Sequence, residues 1–124
     1  MAEQLVAMVQ RKQGVLLDYT PATLAAVDDI VDQVKATGLT EQDSSGMIYA
    51  IGCYVGEVLV RHAQGQWRTT SEMGMTQVCS WPVVVALPSG AGANPIGKAF
   101  KRFRNGSGDS LAFFWQATTR SGLA

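Results

Sequence analysis

The chain has 124 residues, of which 47% are hydrophobic and 16% are charged. This length suits one domain with one core, and the composition is too apolar for a disordered chain. No apolar run reaches the roughly 18 residues that a membrane-spanning helix needs, and a formal net charge of zero argues against non-specific binding of nucleic acid. We therefore expect one soluble domain over residues 1–124 that binds neither nucleic acid nor a membrane.

The apolar spacing of the first half predicts helices and one short strand. A weak helical pattern ends at Gly14, and Thr20 with Pro21 is typical of an N-cap followed by the first helical position. Thr40 with Asp43 resembles a capping box before a longer helix. The predicted elements are helix 1–13, strand 15–19, a helix from Thr20-Pro21 to Gly38 and helix 41–64.

The helix predicted at 41–64 is the expected centre of the fold. It carries a broad apolar face and two glycines, Gly52 and Gly56, four residues apart on one side. Glycine inside a helix costs up to about 1 kcal/mol relative to alanine, so we expect another backbone to approach closely here.

The second half predicts a small sheet followed by two helices. The apolar run at 83–87 should form the most buried strand, and Pro95 should open an amphipathic helix that ends near Asn105-Gly106. The predicted elements are strands 66–70 and 76–87, a loop at 89–94, helix 95–105, a last helix from 107–109 through Trp115 and a frayed tail at 120–124. The order α-β-α-α-β-β-α-α predicts an α+β fold with an antiparallel sheet of about three strands packed against helices.

Charge is divided unevenly along the chain. Residues 1–57 hold eight acidic and three basic side chains, whereas residues 58–124 hold two acidic and seven basic ones. Two interpretations are open: the halves attract each other within the fold, or a dipolar surface favours self-association or an oppositely charged partner.

One segment matches part of a phosphate-binding loop. Residues 92–98 fit G-x-x-x-x-G-K, but Ala99 stands where a magnesium site needs a hydroxyl, and Pro95 lacks a backbone N–H. Nucleotide hydrolysis is therefore not expected. Lys98, Lys101 and Arg102 could still bind an anion, or they could form the solvated face of an amphipathic helix.

Polar and aromatic side chains on the central helix form a second candidate site. Tyr54, Glu57 and Arg61 could form a polar patch, or Glu57 and Arg61 could be an ion pair that orients the helix. His62, the only histidine, is expected to be a cation at the end of the helix or a packing group. The tryptophans Trp67, Trp81 and Trp115 suit either core packing or a ligand-binding aromatic set.

Metal and disulfide chemistry have little support in the sequence. Cys53 and Cys79 are too few for a disulfide framework or a four-cysteine zinc site, so we expect buried, reduced thiols. Asp28, Asp29 and Asp32 are expected on the solvated face of a helix. We expect no cofactor and no metal site.

Four segments together resemble a family of small bacterial proteins that carry a domain of unknown function. They are LDYTP at 17–21, GCYVGEVL at 52–59, GQW at 65–67 and NPIGKAFKRF at 94–103. The resemblance spans residues 15–115. It implies a bacterial, cytoplasmic protein and supplies no established catalytic residues. Residues 1–12 carry no pattern typical of a secretory signal, which agrees with a cytoplasmic location.

These observations favour a non-enzymatic interaction domain of the immunity or accessory type, whose partner is another bacterial protein or a second copy of the chain. The alternative is a module that binds a small ligand or an anion through residues 90–104, and a remote alternative is a hydrolase that uses Glu57, Arg61 and His62. If the central helix packs on the sheet, Tyr54, Glu57 and Arg61 should lie near Trp67 and the loop before Lys98 and form a polar patch between the acidic and the basic half. The candidate binding residues of all these hypotheses are Tyr54, Glu57, Arg61, Trp67, Asn94, Lys98, Lys101 and Arg102.

Overall fold

The structure, a computed structural model, describes residues 2–123, with the backbone alone for 121–123. Within these residues the chain forms five α-helices and three β-strands. The helices are α1 (Ala2–Gln13), α2 (Leu24–Ala36), α3 (Ser45–His62), α4 (Pro95–Asn105) and α5 (Leu111–Leu123), and the strands are β1 (Gln66–Thr69), β2 (Val83–Ala86) and β3 (Gly92–Ala93). None of the helices in this part of the chain is long and apolar enough to cross a membrane.

The three strands form one antiparallel sheet in the order β1-β2-β3. Trp67 pairs with Val85, which also pairs with Ala93 on its other side. Val84 and Val85 point to opposite faces and both are fully buried, as expected for the most apolar strand. The predicted α+β class, with a small antiparallel sheet packed against helices, is confirmed.

Helix α3 lies at the centre of the core, where α1, α4 and the sheet pack around it. A Cβ placed on Gly52 would lie 2.5 Å from the Cα of Ile96, so α4 crosses α3 with its backbone nearly in contact. At Gly56 the indole ring of Trp67 fills the space instead. The close approach predicted from the two glycines is therefore confirmed at Gly52, whereas Gly56 accommodates a side chain.

The strand predicted at 15–19 is wrong. This segment is a strap between α1 and the short 3₁₀ turn Pro21–Thr23, and it pairs with no strand. Leu17 is buried and Leu16 is 61% exposed, which explains the strand-like alternation. The strap cannot continue a ladder because Tyr19 has a left-handed backbone, with φ of 66°, and its N–H is donated to the hydroxyl of Tyr54.

The third strand, at Gly92–Ala93, lies in the segment predicted to be a loop. The strand predicted at 76–87 is shorter than expected and covers Val83–Ala86. Residues 70–82 fold into turns, in which the Cys79 N–H bonds to the Met75 carbonyl and the Thr70 hydroxyl bonds to the Trp81 carbonyl. Local hydrogen bonds thus replace the ladder there. The fraying predicted at 120–124 falls on residues whose side chains, apart from that of Arg120, lie outside the described part of the chain.

The start of the central helix also differs from the prediction. Thr40 Oγ1 accepts a hydrogen bond from the Asp43 N–H at 3.1 Å, which is half of the expected capping box. Residues 41–44 form a turn, and α3 begins at Ser45. Asp43 is too short for the reciprocal bond, so the helix gains its full hydrogen bonding one turn later.

Candidate functional site

The basic second half of the chain is joined to the acidic first half inside the fold. Arg102 is 3% exposed and contacts Asp28 at 2.9 Å and Asp32 at 3.0 Å. Arg104 pairs with Glu41 at 2.5 Å on the surface. These pairs connect α4 to α2 and to the turn before α3, so the structure favours the intramolecular interpretation of the charge asymmetry.

Asp28 is the centre of this network, contrary to its expected place on a solvated helix face. Besides Arg102, it accepts hydrogen bonds from the backbone N–H of Leu111 at 2.8 Å and of Ala112 at 3.2 Å. It also accepts the Ser110 hydroxyl at 3.0 Å. A carboxylate on α2 therefore satisfies the unpaired amides at the start of α5.

The residues predicted to bind an anion are mostly occupied within the molecule. Lys98 pairs with Asp109 at 2.7 Å, and Arg102 is buried between two aspartates, which leaves the exposed Lys101. Asn94 caps α4, because its side-chain oxygen accepts the Gly97 N–H at 3.0 Å. The asparagine and glycine of the G-x-x-x-x-G-K match thus have a local structural role in starting the helix.

We expect the stability of the fold to decrease in acid. Hydrogen bonds from Arg102, Arg104 and Lys98 lower the pKa of Asp32, Glu41 and Asp109 respectively. Because each pKa is lower in the folded chain than in the unfolded one, the contribution of these carboxylates is full above roughly pH 5 and is lost as the pH falls through about 4 and below.

The measurement is the urea midpoint at pH 7 and at pH 3.5, for the wild type and for Arg104→Gln. The variant should show a smaller difference in urea midpoint between the two pH values, because Glu41 then has no arginine partner at either pH. A wild-type midpoint that does not fall at pH 3.5 would contradict this prediction.

Three of the predicted site residues do come together on the surface of α3. The Trp67 indole N–H donates to Glu57 Oε1 at 3.0 Å, and Arg61 Nε lies 3.5 Å from Glu57 Oε2. The guanidinium of Arg61 lies 3.8 Å from the centroid of the Tyr19 ring. We refer to Tyr19, Glu57, Arg61 and Trp67 as the Arg61 stripe.

Tyr54 supports the Arg61 stripe by packing against Tyr19. Tyr54 was predicted to be a binding residue, but it is fully buried and stacks on Tyr19 with ring centroids 4.8 Å apart. Its hydroxyl accepts the Tyr19 N–H at 2.9 Å and contacts the Thr23 hydroxyl at 2.7 Å, and burial raises the pKa of Tyr54. Sequence analysis missed Tyr19 as a site residue because it was assigned to the end of a strand.

His62 and the other two tryptophans lie apart from the stripe. His62 lines a cavity with Trp115 that neither Glu57 nor Arg61 lines. Trp81 stacks on Phe100 at 4.9 Å and is partly buried against the core. The structure therefore does not bring together the three residues of the hydrolase hypothesis, and the tryptophans do not form one aromatic set.

The cysteines are both free, with Cys79 buried and Cys53 half-buried, and burial raises the pKa of the Cys53 thiol. Among the described residues there is no group of three or more His, Cys, Asp or Glu side chains that could hold a metal ion.

Comparison with known proteins gives no matching family model, no similar curated protein and no similar solved structure. The resemblance to small bacterial proteins of unknown function stays a prediction.

Proposed function

We propose that this chain is a non-enzymatic domain that binds another protein through the Arg61 stripe. The observation that carries the proposal is the arrangement of Arg61, whose side chain is 50% exposed while it stacks on Tyr19 and pairs with Glu57. Tyrosine, tryptophan and arginine are the residues that dominate the binding energy of protein interfaces. The stripe presents all three types within one set of direct contacts.

The contacts within the stripe hold Arg61 in place before any partner arrives. A free arginine loses considerable side-chain entropy when it is immobilised at an interface, about 0.5–1.5 kcal/mol. Here the Tyr19 ring under the guanidinium and the Glu57 carboxylate beside it already restrict the Arg61 side chain. This preorganisation supports a role in recognition.

The backbone of Tyr19 gives independent support. A bulky residue with positive φ is uncommon, and such conformations cost about 1–3 kcal/mol and cluster at functional sites. Tyr19 has φ of 66° and is held there by Tyr54 and by the turn in which Asp18 accepts the N–H and hydroxyl of Thr20. The strained residue is the one on which Arg61 rests.

The alternative functions have less support in the contacts. An anion site on α4 would need Lys98 and Arg102, both of which are paired with carboxylates of this chain. A hydrolase site would need Glu57 and His62 in one cavity, and they line different ones. The partner that we propose is another bacterial protein; the resemblance implies only that this chain itself is bacterial.

The test compares capture of a partner by the wild type, by Arg61→Ala and by Arg11→Ala in native cells. Arg11 is exposed on α1, which makes it a matched control. Loss of an interface hot spot costs about 2 kcal/mol or more, so we expect Arg61→Ala to recover at least about thirtyfold less of one stoichiometric partner. The control should recover it fully.

A third variant separates stacking from charge. Arg61→Lys keeps the positive charge but loses the planar group that lies on Tyr19, so it should recover less partner than the wild type and more than Arg61→Ala. Circular dichroism should show all variants folded, since an exposed ion pair contributes at most about 1 kcal/mol. Equal recovery by Arg61→Ala and the wild type would overturn the proposal, and so would recovery of the tagged chain with no partner.

A further inference from the structure

A second site lies at the far end of α3. The chain leaves the helix there beside the residues that follow β2, and Trp115, Thr118 and Thr119 of α5 complete the wall of a cavity of about 390 Å³. We call it the His62 cavity. Its lining consists of His62, Ala63, Gln64, Leu87, Pro88, Trp115, Thr118 and Thr119.

The size and lining of this cavity suit a small molecule. Ligand sites in proteins typically have volumes of about 300–1,000 Å³ and combine apolar walls with a few polar groups. Leu87, Pro88 and Trp115 supply apolar and aromatic surface, and the side chains of His62, Gln64 and Thr118 supply donors and acceptors. Thr119 is already engaged, because its hydroxyl donates to the Trp115 carbonyl at 2.8 Å.

The charge of the site narrows the class of ligand. Apart from His62, none of the described lining residues has an ionisable side chain. The carbonyl end of α3 also points toward this region, since the helix ends at His62, and such ends disfavour anions. An uncharged ligand group fits these conditions, and an indole such as that of Trp115 favours a flat, aromatic one by stacking.

Gln64 is held here at an energetic cost. It has a left-handed backbone, with φ of 58°, at the position after a helix where glycine is usual. The helix is closed one residue later, by a bond from the Gly65 N–H to the Leu59 carbonyl at 3.1 Å. A Cβ on Gly65 would lie 2.5 Å from Val85, so glycine is needed at 65 for packing, while residue 64 carries a side chain despite the strain.

The amide of Gln64 offers one acceptor and two donors, the pattern that glutamine uses to bind the edge of a nucleobase. Gln64 also lines an adjoining open groove with Gln66 and Arg68, where a polar extension of the ligand has room. We infer that the His62 cavity binds a small molecule with a planar, uncharged, nucleobase-like heterocycle, which stacks on Trp115 and is held at its edge by the Gln64 amide.

The experiment titrates the full chain with adenosine, uridine and nicotinamide, followed by tryptophan fluorescence and ligand-observed NMR. We expect saturable binding of at least one probe with Kd below about 1 mM. Gln64→Gly should weaken it at least about tenfold, yet raise the urea midpoint, because glycine relieves the left-handed strain. Gln42→Ala, at an exposed position outside the cavity, should change neither quantity.

The opposite changes in affinity and stability separate a binding role from a structural one. Trp115→Leu, which keeps an apolar side chain, should also weaken binding by loss of stacking. The inference is overturned if none of the three probes saturates, if Gln64→Gly binds as tightly as the wild type, or if that variant is less stable. None of these outcomes bears on the Arg61 stripe, whose test uses a protein partner and a different residue.

Discussion

Replacement of Asp28 with alanine is expected to lower the free energy of unfolding by about 3–5 kcal/mol, the loss typical when one partner of a buried ion pair is removed. Arg102, only 3% exposed, would then keep the backbone carbonyl of residue 28 and one charged partner, Asp32, whose side chain is 59% exposed. The amides of Leu111 and Ala112 would lose their acceptor at the same time. The measurement is urea denaturation at pH 7.

The neighbouring carboxylate supplies the control. Asp29 has the same charge and lies in the same helix, but it is exposed, so Asp29→Ala should change the free energy of unfolding by no more than about 0.5 kcal/mol. If the two variants are equally stable, the buried network does not hold α2, α4 and α5 together. Asp28→Asn should fall between them, because it keeps an acceptor oxygen but loses the charge.

The second large effect is expected at Gly52. Gly52→Ala should destabilise the fold by about 1–3 kcal/mol, the usual cost of overpacking a core. The added Cβ would meet the backbone of Ile96 at 2.5 Å, and no side-chain rotation can relieve a contact with a Cα atom. Helices α3 and α4 would have to move apart where Gly52 meets Ile96.

Gly46 lies on the same helix and isolates this steric effect from helix propensity. A Cβ there would have nothing within 4 Å, so Gly46→Ala should stabilise the fold by about 0.5–1 kcal/mol. Thermal unfolding of the two variants should therefore shift in opposite directions. A shift in the same direction for both would mean that propensity, rather than the approach of α4, decides the outcome at Gly52.

The helices were predictable because their signals are local. Pro95 opens α4 and the apolar periodicity of 47–59 marks α3, and both depend only on residues a few positions apart. Gly52 even indicated a contact between two elements. Glycine lowers the stability of a helix, so its presence there suggested that another backbone packs closely against it. The fold class followed from these elements.

Two departures from prediction, the strand at 15–19 and the solvated position of Asp28, have a different cause, which is contact between residues far apart in the chain. Leu16 and Leu17 alternate as a strand would, but the hydroxyl of Tyr54, 35 residues beyond Tyr19, takes the N–H that a ladder would need. Asp28 has the sequence neighbours of a surface residue and is buried by partners on α4 and α5. Local patterns cannot report such partners.

The candidate site was predictable in part for the same reason. Glu57 and Arg61 are one helical turn apart, so their pairing was visible, and Trp67 lies only ten residues from Glu57. Tyr19 was not identified because its role depends on a left-handed backbone. Lys98 and Arg102 were named for their charge, and only the fold shows that this charge is already balanced.

The position of Asp28 also has a consequence for the time at which the protein can fold in the cell. Its partners Arg102 and Ala112 lie 74 and 84 residues later in the chain. At a synthesis rate of about 5–20 residues per second, the carboxylate leaves the ribosome about 4–17 seconds before the last of them. During that interval α2 has no ion pair to α4 and no amides of α5 to cap, so the first half of the nascent chain cannot complete its core. Folding of this domain is therefore completed after residue 112 has emerged.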